Sequence, residues 1–185
     1  MRERFAAVGM LEFTSIAAGM EAADRMIKAA EVFPVWFRTV CPGKYLACVT
    51  GDVAAVSASL EAGRSSVSPL VADWFLLPNI HPDVIAALCG TGQTSEREAL
   101  GILETYSAAS IIAASDAAVK AAEVRILDVR VALGIGGKGY ALFGGDVAAV
   151  QAAVEAGARQ AEEAGLLVAK VVIPRPAEAF FEQVI

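Results

Sequence analysis

Histidine occurs once in these 185 residues, cysteine three times, and Asp, Glu, Lys and Arg together supply only 19% of the chain. Each scarcity removes a class of function. The single histidine, His81, stands between Ile80 and Pro82 with no Asp or Cys at ligand spacing, so it reads as a capping residue at a strand-to-helix junction. No nucleophile, base and orienting group occur together, and no cofactor fingerprint is present, which argues against an enzyme. Cysteines at 41, 48 and 89 are odd in number and irregular in spacing, so they do not form a disulfide framework and fit a reducing compartment. The net charge is −6 and no cluster of Lys and Arg occurs. A nucleic-acid partner is therefore not expected, because phosphate contacts need concentrated positive charge. No apolar run reaches the roughly 18 residues of a membrane span. Met1-Arg2-Glu3-Arg4 leads into a strand-like run without the apolar core of a secretory signal, so a cytosolic protein is expected.

What the chain does have is apolar material, at 56% of its residues, and an internal repeat. Residues 8–32 align without gaps on residues 100–124, an offset of 92, with 12 identities in 25 positions, ending in Lys-Ala-Ala-Glu-Val both times. Further on the offset becomes 94: Gly-Asp-Val-Ala-Ala-Val at 51–56 recurs unchanged at 145–150, and Glu-Ala-Gly at 61–63 recurs at 155–157. Two homologous domains in tandem follow, expected at 1–90 and 99–185. A small, polar linker is expected over 91–98.

Within the first repeat, strands are expected at 6–13, 35–40, 45–49 and 72–77, and an amphipathic helix at 18–30. Asp52 is the expected N-cap of a second helix carrying Val53, Val56 and Leu60, with Gly63 as the C′ residue that ends it. His81-Pro82-Asp83 opens a short helix to Leu88. The second repeat supplies strands at 99–104, 126–135, 138–143 and 166–173 and a last helix from Ala177. The order β-α-β-β-α-β-α, twice, predicts an α+β fold of two ferredoxin-like sandwiches that are not circularly permuted.

Chemistry concentrates at one turn. Cys41-Pro42-Gly43-Lys44 reverses the chain between two strands, which presents the thiol at an exposed tip. Lys44, three residues on, carries a charge that favours a metal-binding thiolate. A disulfide with Cys48 and an inert surface thiol are the alternatives. Cys48, inside a strand, and Cys89, ending an apolar helix, read as small buried hydrophobes. The second-repeat counterpart of the turn, Gly134-Ile135-Gly136-Gly137-Lys138-Gly139, is no phosphate loop, since Gly139 stands where Ser or Thr would reach magnesium. It reads as a tight hairpin. Glu12 and Glu104, equivalent carboxylates at strand ends, read as structural.

Gly-Met-Leu-Glu at 9–12, the helix ending in Lys-Ala-Ala-Glu-Val, the turn ending in Gly-Lys, the helix opening with Gly-Asp-Val-Ala-Ala-Val, and Ile173-Pro174-Arg175-Pro176 together resemble bacterial microcompartment shell proteins with two tandem BMC domains. Cys41 to Lys44, Asn79 to Pro82 and Gly134 to Lys138 bring the chain nearest to the iron–sulfur shell subunits of propanediol-utilisation compartments. The resemblance implies a homotrimer with the outline of a hexamer, tiled with other shell proteins into a compartment shell in the cytoplasm. It places Pro42, Gly43, Lys44, Ile135, Gly136, Gly137 and Lys138 around the central axis. Lys28, Lys120 and Arg175 fall at the tile edge, and Asn79 stands where the first domain would carry that arginine. Three Cys41 thiolates, one per chain, would hold one 4Fe-4S cluster per trimer for electron transfer or cluster delivery, with encapsulated redox enzymes as partners. The alternative is a metal-free metabolite pore lined by the Cys41 turn and Ile135 to Gly137.

Overall fold

The computed structural model describes residues 6–90, 98–131 and 134–184. The linker expected over 91–98 lies, apart from Glu98, outside the described residues. Two units are present: the first holds the chain up to Ile80 together with residues 134–137, and the second holds His81–Val131 and the chain from Lys138 onward. The short helix over 82–88 thus belongs with the second unit, although it closes the first repeat in sequence.

The first unit is one antiparallel sheet in the order β2-β3-β1-β4, with β1 at Ala7–Phe13, β2 at Phe33–Val40, β3 at Lys44–Gly51 and β4 at Val71–Pro78. Every residue of β1 is buried, as its central place demands. Helices α1, Ile16–Ala29, and α2, Val53–Ser66, cover one face. Each starts on a side-chain cap: Ser15 Oγ accepts from the Ala18 N–H at 3.4 Å and Asp52 Oδ1 from the Ala55 N–H at 2.8 Å. Leu11, Phe13, Met26, Tyr45, Val49, Val56 and Leu60 fill the space between the layers.

The second unit repeats this with β5 at Ala99–Thr105, α4 at Ala108–Ala121, β6 at Arg125–Val131, β7 at Gly139–Gly145, α5 at Val147–Glu163 and β8 at Leu167–Pro174, in the order β6-β7-β5-β8. Helix α3, Pro82–Leu88, packs against β6, and α6 spans Glu178–Val184. Leu100, Leu127, Leu142 and Phe181 form a second apolar cluster here. The α+β fold and the element order β-α-β-β-α-β-α are as expected.

Register locates the change of offset. Phe33 faces Thr50 where Arg125 faces Gly144, so the strands before the turn are 92 apart and those after it 94. The β6–β7 turn is therefore two residues longer than the β2–β3 turn. Strand β6 ends at Val131, not at 135 as expected, and Gly134, Gly136 and Gly137 adopt left-handed φ that does not continue a strand.

A second correction concerns Gly63. It does not end α2, which continues to Ser66, and it is buried inside the helix. A Cβ there would stand 2.7 Å from Leu11 Cδ1 and from Met26 Cγ, so this glycine lets α2 lie close to β1 and α1. Gly157 plays the same part in α5, against Leu103 and the Ala114 carbonyl.

Candidate functional site

Strand β2 ends at Val40 and β3 begins at Lys44, so three residues make the turn, closed by the Gly43 N–H donating to the Val40 carbonyl at 3.1 Å. Cys41, Pro42 and Gly43 are all exposed. Gly43 has φ +86° and nothing within 4 Å of where a Cβ would point, so conformation rather than space requires glycine. The thiol stands at a tip with open space beside it, as the sequence predicts.

Lys44 serves a different partner from the one expected. Its Nζ donates to Glu12 Oε1 at 2.6 Å, and Glu12 is fully buried, so the lysine charge is taken up beneath the turn rather than by Cys41. The second repeat keeps the pair: Lys138 Nζ lies 2.8 Å from Glu104 Oε1, and that hydrogen bond holds the ammonium above its ordinary pKa. Glu12 has a structural part, since a buried carboxylate without a cation would not be tolerated, and the half-buried Glu104 repeats the pairing.

The 134–137 loop meets the Cys41 turn inside the first unit. Gly137 is buried at φ +85°, and a Cβ on it would lie 2.8 Å from Pro42 Cδ and 3.0 Å from the Cys41 carbonyl oxygen. Gly134 and Gly136, at φ +73° and +66°, are exposed, and Ile135 is half-buried. The two turns thus pack directly on one another.

The other two cysteines divide. Cys48 is buried, and burial pushes its thiol up to about 12, against the smaller opposing pull of the Arg38 charge. It is inert, as expected. Cys89 is exposed, which corrects its reading as a buried hydrophobe: it stands past the end of α3, where Val84 and Ala87 have already taken the buried positions. Among the described residues no three His, Cys, Asp or Glu side chains stand together as a metal-holding group. A site on Cys41 needs more than one chain.

Lys28 and Lys120 each sit in the last turn of their helix, four residues after an aspartate. Lys28 pairs with Asp24 and Lys120 with Asp116, both at 2.5 Å. The surroundings differ, for Asp24 is exposed whereas Asp116 is buried and also accepts from the His81 N–H at 2.8 Å. His81 Nδ1 in turn accepts from the Asp83 N–H at 3.3 Å, the capping role expected of it. Arg175, at φ +51°, donates its N–H to the Glu98 carbonyl, and Asn79, at φ +55°, donates to that of Ala6, so the two are equivalent in backbone geometry. Sequence reasoning passed over the aspartates, although Asp-x3-Lys at helical spacing in both repeats was a readable signal.

Two copies of a four-stranded antiparallel sheet under paired helices, with glycine-rich turns at one end, define a duplicated α+β module of the shell-protein type. The BMC domain model matches residues 7–80 and 99–176, and the chain belongs to that family, the structural shell proteins of bacterial microcompartments. It is 46% identical over 179 residues, 97% of both chains, to the microcompartment shell protein PduT of Citrobacter freundii. It is 51% identical to the shell protein EutM of Salmonella typhimurium over 79 residues, which is 43% of this chain and 80% of that one. A crystal structure of a microcompartment protein from Desulfitobacterium hafniense DCB superposes with a TM-score of 0.83 at 45% identity, covering 95% of this chain and 98% of the other. A fused permuted hexameric shell protein of the RMM microcompartment shares the fold alone, with a TM-score of 0.62 at 22% identity, over 83% of this chain and 79% of that one. Among the described residues no helix is long and apolar enough to cross a membrane.

Proposed function

We propose that three copies of this chain form a shell tile with the outline of a hexamer, and that their Cys41 thiolates converge on the threefold axis to hold one 4Fe-4S cluster. The observation that carries this reading is the Cys41 turn itself: an exposed soft donor followed by Pro42, packed against Gly137, with open space beside Gly43. The donor set suits the group, because iron–sulfur clusters are held by cysteine thiolates and glycine lets backbone amides approach the sulfurs. When bound, such a cluster supplies one-electron transfer or a cluster for delivery. Cys41 would hold it, Gly43 and Gly137 would keep side chains away from it, and Lys44 and Lys138 would stay paired beneath the loops. Three thiolates leave one iron without a cysteine. Lys28, Lys120 and Arg175 would meet neighbouring tiles, and encapsulated redox enzymes would exchange electrons at the axis.

The test is anaerobic purification of the parent chain, Cys41→Ser, Cys48→Ala and Cys89→Ala. Cys41→Ser alone should lose iron, sulfide and the absorbance near about 400 nm expected of a bound cluster, while keeping three chains per particle. Full cluster content in Cys41→Ser, or its loss in Cys89→Ala, overturns the assignment. A second reading, a metal-free pore lined by the Cys41 turn and Ile135 to Gly137, draws on the same exposed tips, with Gly43, Gly134 and Gly136 all open to solvent. A colourless parent protein after iron and sulfide reconstitution selects it.

A further inference from the structure

One of the two Glu–Lys pairs lies in the interior, and it is the one beneath the cysteine. Glu12 stands directly across from Leu46, and Lys44 lies two residues before Leu46 on the same face of the sheet, because side chains alternate along a strand. The lysine therefore reaches diagonally back over β1, where its Nζ stands 2.6 Å from Glu12 Oε1. The Glu12 side chain has no solvent exposure and that of Lys44 only 19%. In the second repeat Lys138 reaches Glu104 in the same way, at 2.8 Å, but those side chains are 41% and 34% exposed. Water and salt screen the second pair far more than the first.

The buried pair acts on the turn through position and through charge. Lys44 follows Gly43 directly, and Val40, which faces it across β2 and β3, is buried at the other leg, so both legs of the three-residue turn are held. Two cations flank Cys41 in sequence, Arg38 three residues before it and Lys44 three residues after it, and each is engaged elsewhere. The Arg38 guanidinium lies 4.3 Å from the centre of the Trp36 ring, and the Lys44 ammonium is on Glu12. We infer that Glu12 is a positioning residue for the cluster on the axis: by holding the Lys44 ammonium on β1 it anchors the turn and withholds a positive charge from the three thiolates. The inference rests on the cluster-binding reading above and names the residue that sets the charge around that site. The potential of an iron–sulfur cluster depends on net charge. Reduction adds one negative charge, so an unpaired cation close by favours the reduced form, whereas a lysine cancelled by a carboxylate does not. Glu12 thus keeps the potential low.

Glu12→Gln keeps the shape of the side chain and frees Lys44, Glu12→Gln combined with Lys44→Gln removes both charges, and Glu104→Gln is the half-exposed control. Parent and variants are purified without oxygen, reconstituted with iron and sulfide, and checked by sedimentation for three chains per particle. Each is then titrated with dithionite, which supplies the one electron, while the reduced cluster is followed by electron paramagnetic resonance. The expected result is that Glu12→Gln raises the reduced-to-oxidised ratio at a fixed potential by about tenfold, which is about 59 mV for a one-electron couple. The double variant should return to the parent value, and Glu104→Gln should shift it less. Iron lost from an intact Glu12→Gln trimer and regained in the double variant supports the inference too, since the released charge is what separates them. An unchanged potential in Glu12→Gln, or loss of the trimer or of iron in both Glu12 variants alike, makes Glu12 a fold element only and overturns the inference, while iron in the parent leaves the tile reading standing. A parent that takes up no iron overturns both.

Discussion

Alanine at Gly137 and alanine at Gly43 impose the same backbone penalty and differ in what the new methyl group meets. Both glycines are left-handed, at φ +85° and +86°, and an L-residue in that region costs about 1–2 kcal/mol. At Gly43 the methyl points into open space, so that cost is the whole effect. At Gly137 it meets Pro42 Cδ at 2.8 Å and the Cys41 carbonyl oxygen at 3.0 Å, a ring and a backbone atom that cannot turn aside. Overpacking of this kind adds about 1–3 kcal/mol. In a chain of this size 1 kcal/mol moves Tm by about 2–4 °C, so Gly137→Ala should melt about 2–12 °C below Gly43→Ala. Thermal unfolding must be followed at one protomer concentration, because assembly contributes to the apparent stability. Equal Tm values in the two variants would refute the packing of the 134–137 loop against the Cys41 turn. On the proposed reading, Gly137→Ala should also hold less iron after reconstitution than Gly43→Ala, since relief of the clash displaces Cys41.

The two Glu–Lys pairs should behave unequally. Lys44→Ala takes its lysine from the fully buried Glu12 carboxylate and should destabilise by about 3–5 kcal/mol, whereas Lys138→Ala breaks a half-exposed pair and should cost far less, both read from denaturant unfolding. Native protein free of metal should label with a thiol reagent at Cys41 and Cys89, and Cys48 should react only after unfolding; labelling of Cys48 in the native chain would contradict its burial. Cys48 also sets a pH dependence. Its folded thiol titrates at about 12 and an unfolded one near about 8.5, so the unfolded chain releases its proton first, and stability should fall as pH rises through that window. The slope is at most about 1.4 kcal/mol per pH unit, and Cys48→Ala should remove that component.

The fold was legible because duplication doubled the signals: Asp52 and Asp146 both cap helices, and β1 and β5 both read as apolar runs with a glutamate near the end. The errors share a cause, which is that one residue type serves two physical purposes. Glycine past a helix and glycine inside a helix at a close approach look alike when the residues that follow, here Arg64-Ser65-Ser66, are compatible with either. Cysteine after an apolar helix is buried or exposed according to which way a short helix packs, and α3 packs on β6, a strand from the other repeat. The Cys41 turn was legible as a turn; that Lys44 turns under it toward Glu12 was not, because the partners lie 32 positions apart.

Duplication also bears on what the axis can hold. A ring of six identical domains presents six identical loops, and any thiol on them occurs six times. In a tandem chain the loops alternate, and here they have diverged by two residues in length, leaving a short cysteine turn next to a long glycine-rich one. The long loop supplies no thiol among its described residues, and it gives the short one a backing in Gly137, which has no side chain to push Cys41 away. On the proposed reading, three thiolates rather than six meet on the axis, separated by loops that pack without competing as ligands. The turns have thus diverged in length, while the buried glycines, Gly9 against Val56 and Leu60 and Gly101 against Val150 and Val154, remain the same in both repeats.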